Sequence, residues 1–136
     1  MYRNILVPVA LDHDAESSAL IDVANHLLEK GGKITLLHVV EEIPGYVEVV
    51  LPKETHLNRI KETKRQLADM ANENTQGADT HIIVGHPSRE ILEYAGRLKA
   101  DCIVAGSHKP GLQDYLIGST AARIMRHAEC AVHIHR

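Results

Sequence analysis

The sequence predicts an α/β fold, a doubly wound, five-stranded parallel sheet in the order 3-2-1-4-5 with helices on both faces. Three observations carry this expectation. Five short apolar runs alternate with stretches of helical periodicity, no hairpin signal joins any two runs, and the runs are continuous rather than alternating. Strands separated by helices run parallel, and strands covered on both faces lose the polar side that a solvated sheet would show. Right-handed crossovers leave few winding orders. The length of 136 residues suits one domain, 1–136, because halves would be too small for separate cores.

The elements follow in order. Residues 4–9 (NILVPV) are a buried strand bounded by polar residues. The DHDAESS stretch supplies helix-starting side chains before Leu20, Ile21, Val23, Ala24, Leu27 and Leu28 recur at helical spacing, and Gly31 and Gly32 are expected to stop that helix. Residues 34–40 (ITLLHVV) form the second strand. Pro44, Gly45 and Pro52 make 41–53 a long loop, whose Tyr46, Val47, Val49, Val50 and Leu51 suit a lid or a partner contact. A charged helix from about Glu54 to Asn72 shows a narrower stripe of Leu57, Ile60, Lys64, Leu67 and Met70. Residues 79–84 are the third strand and Gly85 to Ser88 a turn. Ser88 is expected to cap the next helix, with Ile91, Leu92, Ala95 and Leu98 as its buried face. A fourth strand at 101–106, a loop, a helix at 119–128 and a strand at 131–135 complete the chain.

Composition narrows the function. Apolar residues make up 44% and charged residues 24%, which excludes a disordered or fibrous chain. No apolar run approaches the roughly 18–20 residues of a membrane span, and MYRNILVPVA lacks the pattern of a signal peptide. Two cysteines are too few for a disulfide framework and fit a reducing cytoplasm, with Cys102 as a core thiol and Cys130 more accessible. A net charge of -3 and the absence of Trp and Phe count against nucleic acid as a partner. The local tilt toward an anion lies in residues 101–136, with four Lys/Arg against three Asp/Glu and four of the ten histidines.

The chemistry-bearing stretch follows the fourth strand. Gly106 lets the chain turn sharply and lets a ligand approach the backbone. Gly118-Ser119-Thr120 opens the next helix with backbone N–H groups, two hydroxyls and a positive dipole end, which together suit a di- or triphosphate. Each of these is also ordinary punctuation between elements, so on residue chemistry alone both readings stand open. Their coincidence at the switch point between strands one and four, beside His108, Lys109 and Arg123, is what favours a site.

The succession resembles the universal stress protein family along the whole chain. The resemblance rests on ILVPV, LLHVV, VGHPSREIL and VAGSHKPGLQDYLIGSTAARIMRHAECAVHIHR, the last being the most specific. It implies a Rossmann-like domain of the adenine-nucleotide hydrolase type, a homodimer along the C-terminal strand, and ATP, ADP or AMP in the crevice, with or without magnesium. Carried over by position, Pro8, Val9, Ala10, Asp12 and Val39 lie on the adenosine side. Ala105, Gly106, His108, Lys109, Gly118, Ser119 and Thr120 surround ribose and phosphates, and Ala131, Val132, His133 and Ile134 form the dimer contact.

Two departures from the family pattern are visible. Of its Gly-x2-Gly-x9-Gly-Ser/Thr motif, Gly106 and Gly118-Ser119 match, Lys109 replaces the middle glycine, the following spacer is one residue short, and Gly111 supplies a glycine two positions later. The acid that often follows Pro-x is Ala10 here, with Asp12 two residues on. The acidic cluster Asp12, His13, Asp14 and Glu16 reads first as a solvated helix start, and a magnesium contact through Asp12 is the second reading. His127, His133 and His135 lack further ligands at zinc spacing. No Walker motif, Ser-His-Asp set or HExxH is present, so turnover is expected to be absent or very slow. The expected function is a nucleotide-dependent, dimeric stress-response regulator with a protein partner that the sequence does not identify. A dimeric interaction module without nucleotide, or a slow ATPase, is the alternative.

Overall fold

The computed structural model describes residues 1–12, 14–41, 53–107 and 117–136, without the side chains of Asp14 and Lys53. Strands β1 (Tyr2–Pro8), β2 (Leu28–Val40), β3 (Asp79–Val84), β4 (Cys102–Gly106) and β5 (Ala131–His135) form one sheet in the order β3-β2-β1-β4-β5. Every pairing is parallel, so the expected winding is the observed one. Helices α1 (Asp14–Leu27) and α2 (Lys53–Asn74) cover one face; α3 (Pro87–Leu98) and α4 (Ser119–His127) cover the other.

The pleat explains the continuous apolar runs. Ile5, Val7, Ile34, Leu36, Cys102 and Val104 belong to the core under α1 and α2. Their neighbours Leu6, Leu37, Ile103 and Ala105 belong to the core under α3 and α4. Alternate side chains point to opposite faces, and with helices on both faces neither set remains polar.

Three local expectations are corrected. The glycines 31 and 32 do not stop α1, which ends at Leu27; they lie inside β2, which begins at Leu28. Leu28 pairs with Tyr2 while Lys33 pairs with Asn4, a register shift that Gly31 permits with φ of 85°. A Cβ at Gly32 would stand 2.9 Å from the Arg3 carbonyl oxygen, so strand pairing here needs a residue without a side chain. On α2, Leu67 and Met70 are buried, but Leu57 and Lys64 are exposed, so burial is concentrated in the C-terminal half. At α3, His86 rather than Ser88 occupies the N-cap. Pro87 fills a first-turn position, where its missing N–H loses nothing, and the buried Ser88 hydroxyl meets His86 Nδ1 at 3.2 Å.

Beneath the sheet, a polar clamp joins β1 to the turn before β4. The registered β1–β4 pairs are Ile5 with Cys102 and Leu6 with Ile103. Asp101 extends the junction, its carboxylate accepting from Arg3 N at 2.9 Å and Asn4 N at 3.0 Å while its own N–H donates to Asn4 O at 2.9 Å. The Asn4 side-chain amide donates to Leu98 O at 2.6 Å, securing the end of α3, where Lys99 adopts a left-handed φ of 55°.

The two thiols face opposite sides of the sheet, Cys102 among the core residues under α1 and α2 and Cys130 against the core under α3 and α4. Burial, then the neighbouring Cys130 and Asp101 charges, push the Cys102 thiol up to about 11; burial also raises Cys130. Only the thiolate reacts, and at pH 9 a thiol titrating near 11 is about 1% ionised. Ellman's reagent is therefore expected to label Cys130 in the folded protein, faster at pH 9 than at pH 7, and Cys102 only after unfolding. Equal labelling of both thiols in the native state would contradict the placement.

Candidate functional site

The sheet opens where β1 and β4 lie side by side, because the chain leaves β1 toward one face and β4 toward the other. A cleft of about 230 Å³ occupies this place. Pro8, Val9, Leu37 and Val39 make an apolar wall at the ends of β1 and β2, Ala105 and Gly106 the end of β4, and Gly118, Thr120 and Ala121 the opposite side. Leu37, Ala105 and Ile124 are buried core residues that also line the cleft, so its base is fixed by the packing of the domain.

Side chains pin the edge formed by β1. His38 Nδ1 donates to Val9 O at 2.9 Å, since a carbonyl can only accept. The buried Ser17 hydroxyl donates to Ala10 O at 2.7 Å, tying the first turn of α1 to the strand it follows. Val9 N donates to Leu37 O at 2.9 Å and carries the β1–β2 ladder past the end of the strand.

On the other side, Gly118 is the N-cap of α4, with extended backbone and no side-chain cap. Its own N–H is already used, donating to Ser107 O at 2.7 Å, which corrects the expectation that it stands free. The N–H groups of Ser119, Thr120 and Ala121 lie in the first turn, where no intrahelical partner exists. A positive helix end with uncapped donors thus faces an apolar wall across a short gap.

The sequence-predicted residues distribute as follows. Pro8, Val9, Ala10, Val39, Ala105, Gly106, Gly118 and Thr120 all line this cleft. Ser119 lines an adjoining polar recess with Arg123, Arg89, Ser88 and Gly85; Pro87 and Thr120 border both spaces. Asp12 is exposed and is not among the residues lining the cleft. His13, His108, Lys109 and Gly111 lie outside the described residues, as do all of 42–52 and 108–116, where a long loop and the rest of the glycine motif are expected. On β5, Val132 and Ile134 pack against the core under α3 and α4, while Ala131 and His133 are exposed.

Sequence reading missed Glu16, Ser17 and His38. His38 had a signal, as a polar residue inside an apolar run. Glu16 was grouped with a solvated acidic cluster, yet its carboxylate lies in the cleft: a Cβ at Gly106 would stand 2.9 Å from Glu16 Oε1. The first turn of the helix leaving β1 necessarily borders a crevice at the switch point, and that geometry is the clue that could have singled it out.

A parallel sheet in the order β3-β2-β1-β4-β5, with a crevice at its strand ends walled by apolar side chains on one side and an open helix start on the other, defines a doubly wound domain of Rossmann-like type. The universal stress protein family model matches residues 1–136, and the chain belongs to that family. It is 30% identical over 141 residues to universal stress protein G of Salmonella typhimurium, covering 97% of each chain. It superposes on the universal stress protein UspA from Lactobacillus plantarum with a TM-score of 0.73 at 26% identity, covering 99% of this chain and 98% of that one. Two neighbours that share the fold at lower identity were solved with ligands. One is a universal stress protein with cAMP (17% identity, TM-score 0.65, 99% of this chain, 97% of that one). The other is from Archaeoglobus fulgidus with dAMP (18% identity, TM-score 0.62, 98% of this chain, 97% of that one).

Proposed function

We propose that this chain binds an adenine nucleotide (ATP, ADP or AMP) in the cleft between β1 and β4, and acts as a dimeric, cytoplasmic stress-response regulator. The observation that carries the reading is the pairing, within one cleft, of the apolar wall of Pro8, Val9 and Val39 with the uncapped start of α4. An aromatic base suits the first and a phosphate the second. Hydrogen bonds to a charged group contribute about 1.5–3 kcal/mol each, so the first-turn amides supply part of the binding energy and burial of the base against the apolar wall supplies the rest. Arg123 in the adjoining recess is a cation for the outer phosphates. By resemblance His108 and Lys109 join them. The complexes of fold neighbours with cAMP and dAMP support the class of ligand.

Magnesium has little of its own to hold it here. No group of three His, Cys, Asp or Glu side chains converges among the described residues, and Asp12 is not among those lining the cleft. Magnesium accompanying a triphosphate would be held chiefly by phosphate oxygens and water. The homodimer is assigned to the free edge of β5, where Ala131 to Ile134 would pair with a second copy. The 136 residues act as one domain in this reading.

Two measurements test the nucleotide site. Millimolar ATP at about 100 times its Kd is expected to stabilise the protein by about 2.7 kcal/mol, seen as a rise of several degrees in melting temperature. Ala10→Trp, a change at an exposed residue on the cleft wall, is expected to abolish that rise while leaving the unliganded melt within about 1 kcal/mol. No ATP-dependent rise, together with no nucleotide released on denaturing the purified protein, would leave the dimeric interaction module as the reading.

A further inference from the structure

Glu16 raises a question that the apolar wall and the helix start do not answer. Its carboxylate lies close to Gly106 and lines the cleft together with the strand-end wall and the first turn of α4. It has no hydrogen bond or ion pair among the described residues, although Ser17, next to it, is tied to Ala10 O. With glycine at position 106 the carboxylate sits close against the end of β4, where a Cβ would be 2.9 Å from Oε1 and would push the Glu16 side chain aside. An ionised carboxylate accepts hydrogen bonds and donates none. It therefore repels a phosphate and the acceptor nitrogens of a base, and it suits a pair of neighbouring hydroxyls, each of which can donate to one oxygen. A nucleotide with its base on the Val9–Val39 wall and its phosphate at α4 places its sugar at Gly106.

We propose that Glu16 is a specificity-determining residue that accepts hydrogen bonds from the cis-diol of a ribose, so that the cleft selects ribonucleotides over nucleotides lacking those hydroxyls. The inference rests on the nucleotide reading above and adds the identity of the sugar to it. Glu16 is exposed, so water competes for the carboxylate and the discrimination is moderate. One retained charge-assisted hydrogen bond corresponds to roughly tenfold.

The test is a matrix of affinities by calorimetry, for AMP and 2′,3′-dideoxy-AMP against the wild-type protein, Glu16→Gln and Glu16→Ala, all in EDTA. Wild type is expected to bind AMP about ten times more tightly than the dideoxy compound. Glu16→Ala is expected to lose that preference by weakening AMP alone, with Glu16→Gln between the two. Glu16 makes no bond that folding needs, and unchanged affinity for the dideoxy nucleotide is itself the control for an intact cleft. The inference is overturned by equal binding of the two nucleotides to wild type, or by a preference that survives in Glu16→Ala. Tighter binding of both nucleotides by Glu16→Ala also overturns it, since the carboxylate would then act only by repelling phosphate. A preference that appears only when magnesium replaces EDTA overturns it too, by making Glu16 a cation contact. If wild type binds neither nucleotide, the nucleotide reading fails first and the sugar selection with it.

Discussion

Leu37→Ala is expected to destabilise the protein by about 3–4 kcal/mol, lowering the melting temperature by roughly 10 °C. Leu37 is fully buried in the core under α3 and α4, next to Leu6, Ile91 and Ile103 in that cluster, and it lines the base of the cleft. A truncated side chain there leaves a void that β-strand neighbours cannot collapse to fill. Leu57→Ala is the companion measurement. Leu57 sits on the apolar stripe of α2, but it is 59% exposed, and its removal is expected to change stability by less than about 0.5 kcal/mol. Urea denaturation of the two variants checks the pair; equal losses would mean that the N-terminal half of α2 packs where the structure leaves it open.

The second large effect belongs to Asp101. Its two oxygens accept from consecutive backbone amides of β1, Arg3 N and Asn4 N, at the point where β1 meets β4. Asp101→Ala removes both bonds and is expected to cost about 2–3 kcal/mol, below the sum for fully buried bonds because Arg3 is exposed. Asp101→Asn retains one acceptor but turns an NH2 toward an N–H, so roughly half of that loss is expected. Hydrogen exchange gives a local readout, since the amides of Arg3 and Asn4 should lose protection in both variants relative to Ile5. Unchanged protection there would remove the clamp from the account.

The sheet was legible because its strands are buried on both faces. Runs such as ILV and ITLLHVV are too short for helices and rich in β-branched residues, and their alternation with helices points to a parallel order. Boundaries were less legible where a glycine has two uses. Gly31 and Gly32 have the composition of a helix stop, but a register shift beside Tyr2 uses the same residues inside β2. His86 at the α3 cap could not be foreseen from side-chain capping rules, because that cap makes no side-chain hydrogen bond.

The cleft divides in the same way. Its glycines and strand-end residues were readable as positions on a pattern, and the structure brings eight of them, including Pro8, Gly106 and Thr120, around one space. Ser119 and Asp12 were not, because the direction of a side chain at the start of a helix depends on how the helix docks. Glu16 illustrates the converse: a charged residue in a first helical turn looks like dipole compensation until the neighbouring strand end is seen to be a glycine.

The walls of this cleft are of two kinds, and the difference bears on how such a protein changes over evolutionary time. Leu37, Ala105 and Ile124 answer to the interior, so drift at those positions is penalised whatever the ligand. Ala10 and Glu16 are solvent-facing, and substitutions at such positions usually leave stability almost unaltered. A lineage carrying this domain can therefore reshape the rim of the cleft by single surface changes, without first acquiring compensating mutations, while the scaffold stays under purifying constraint.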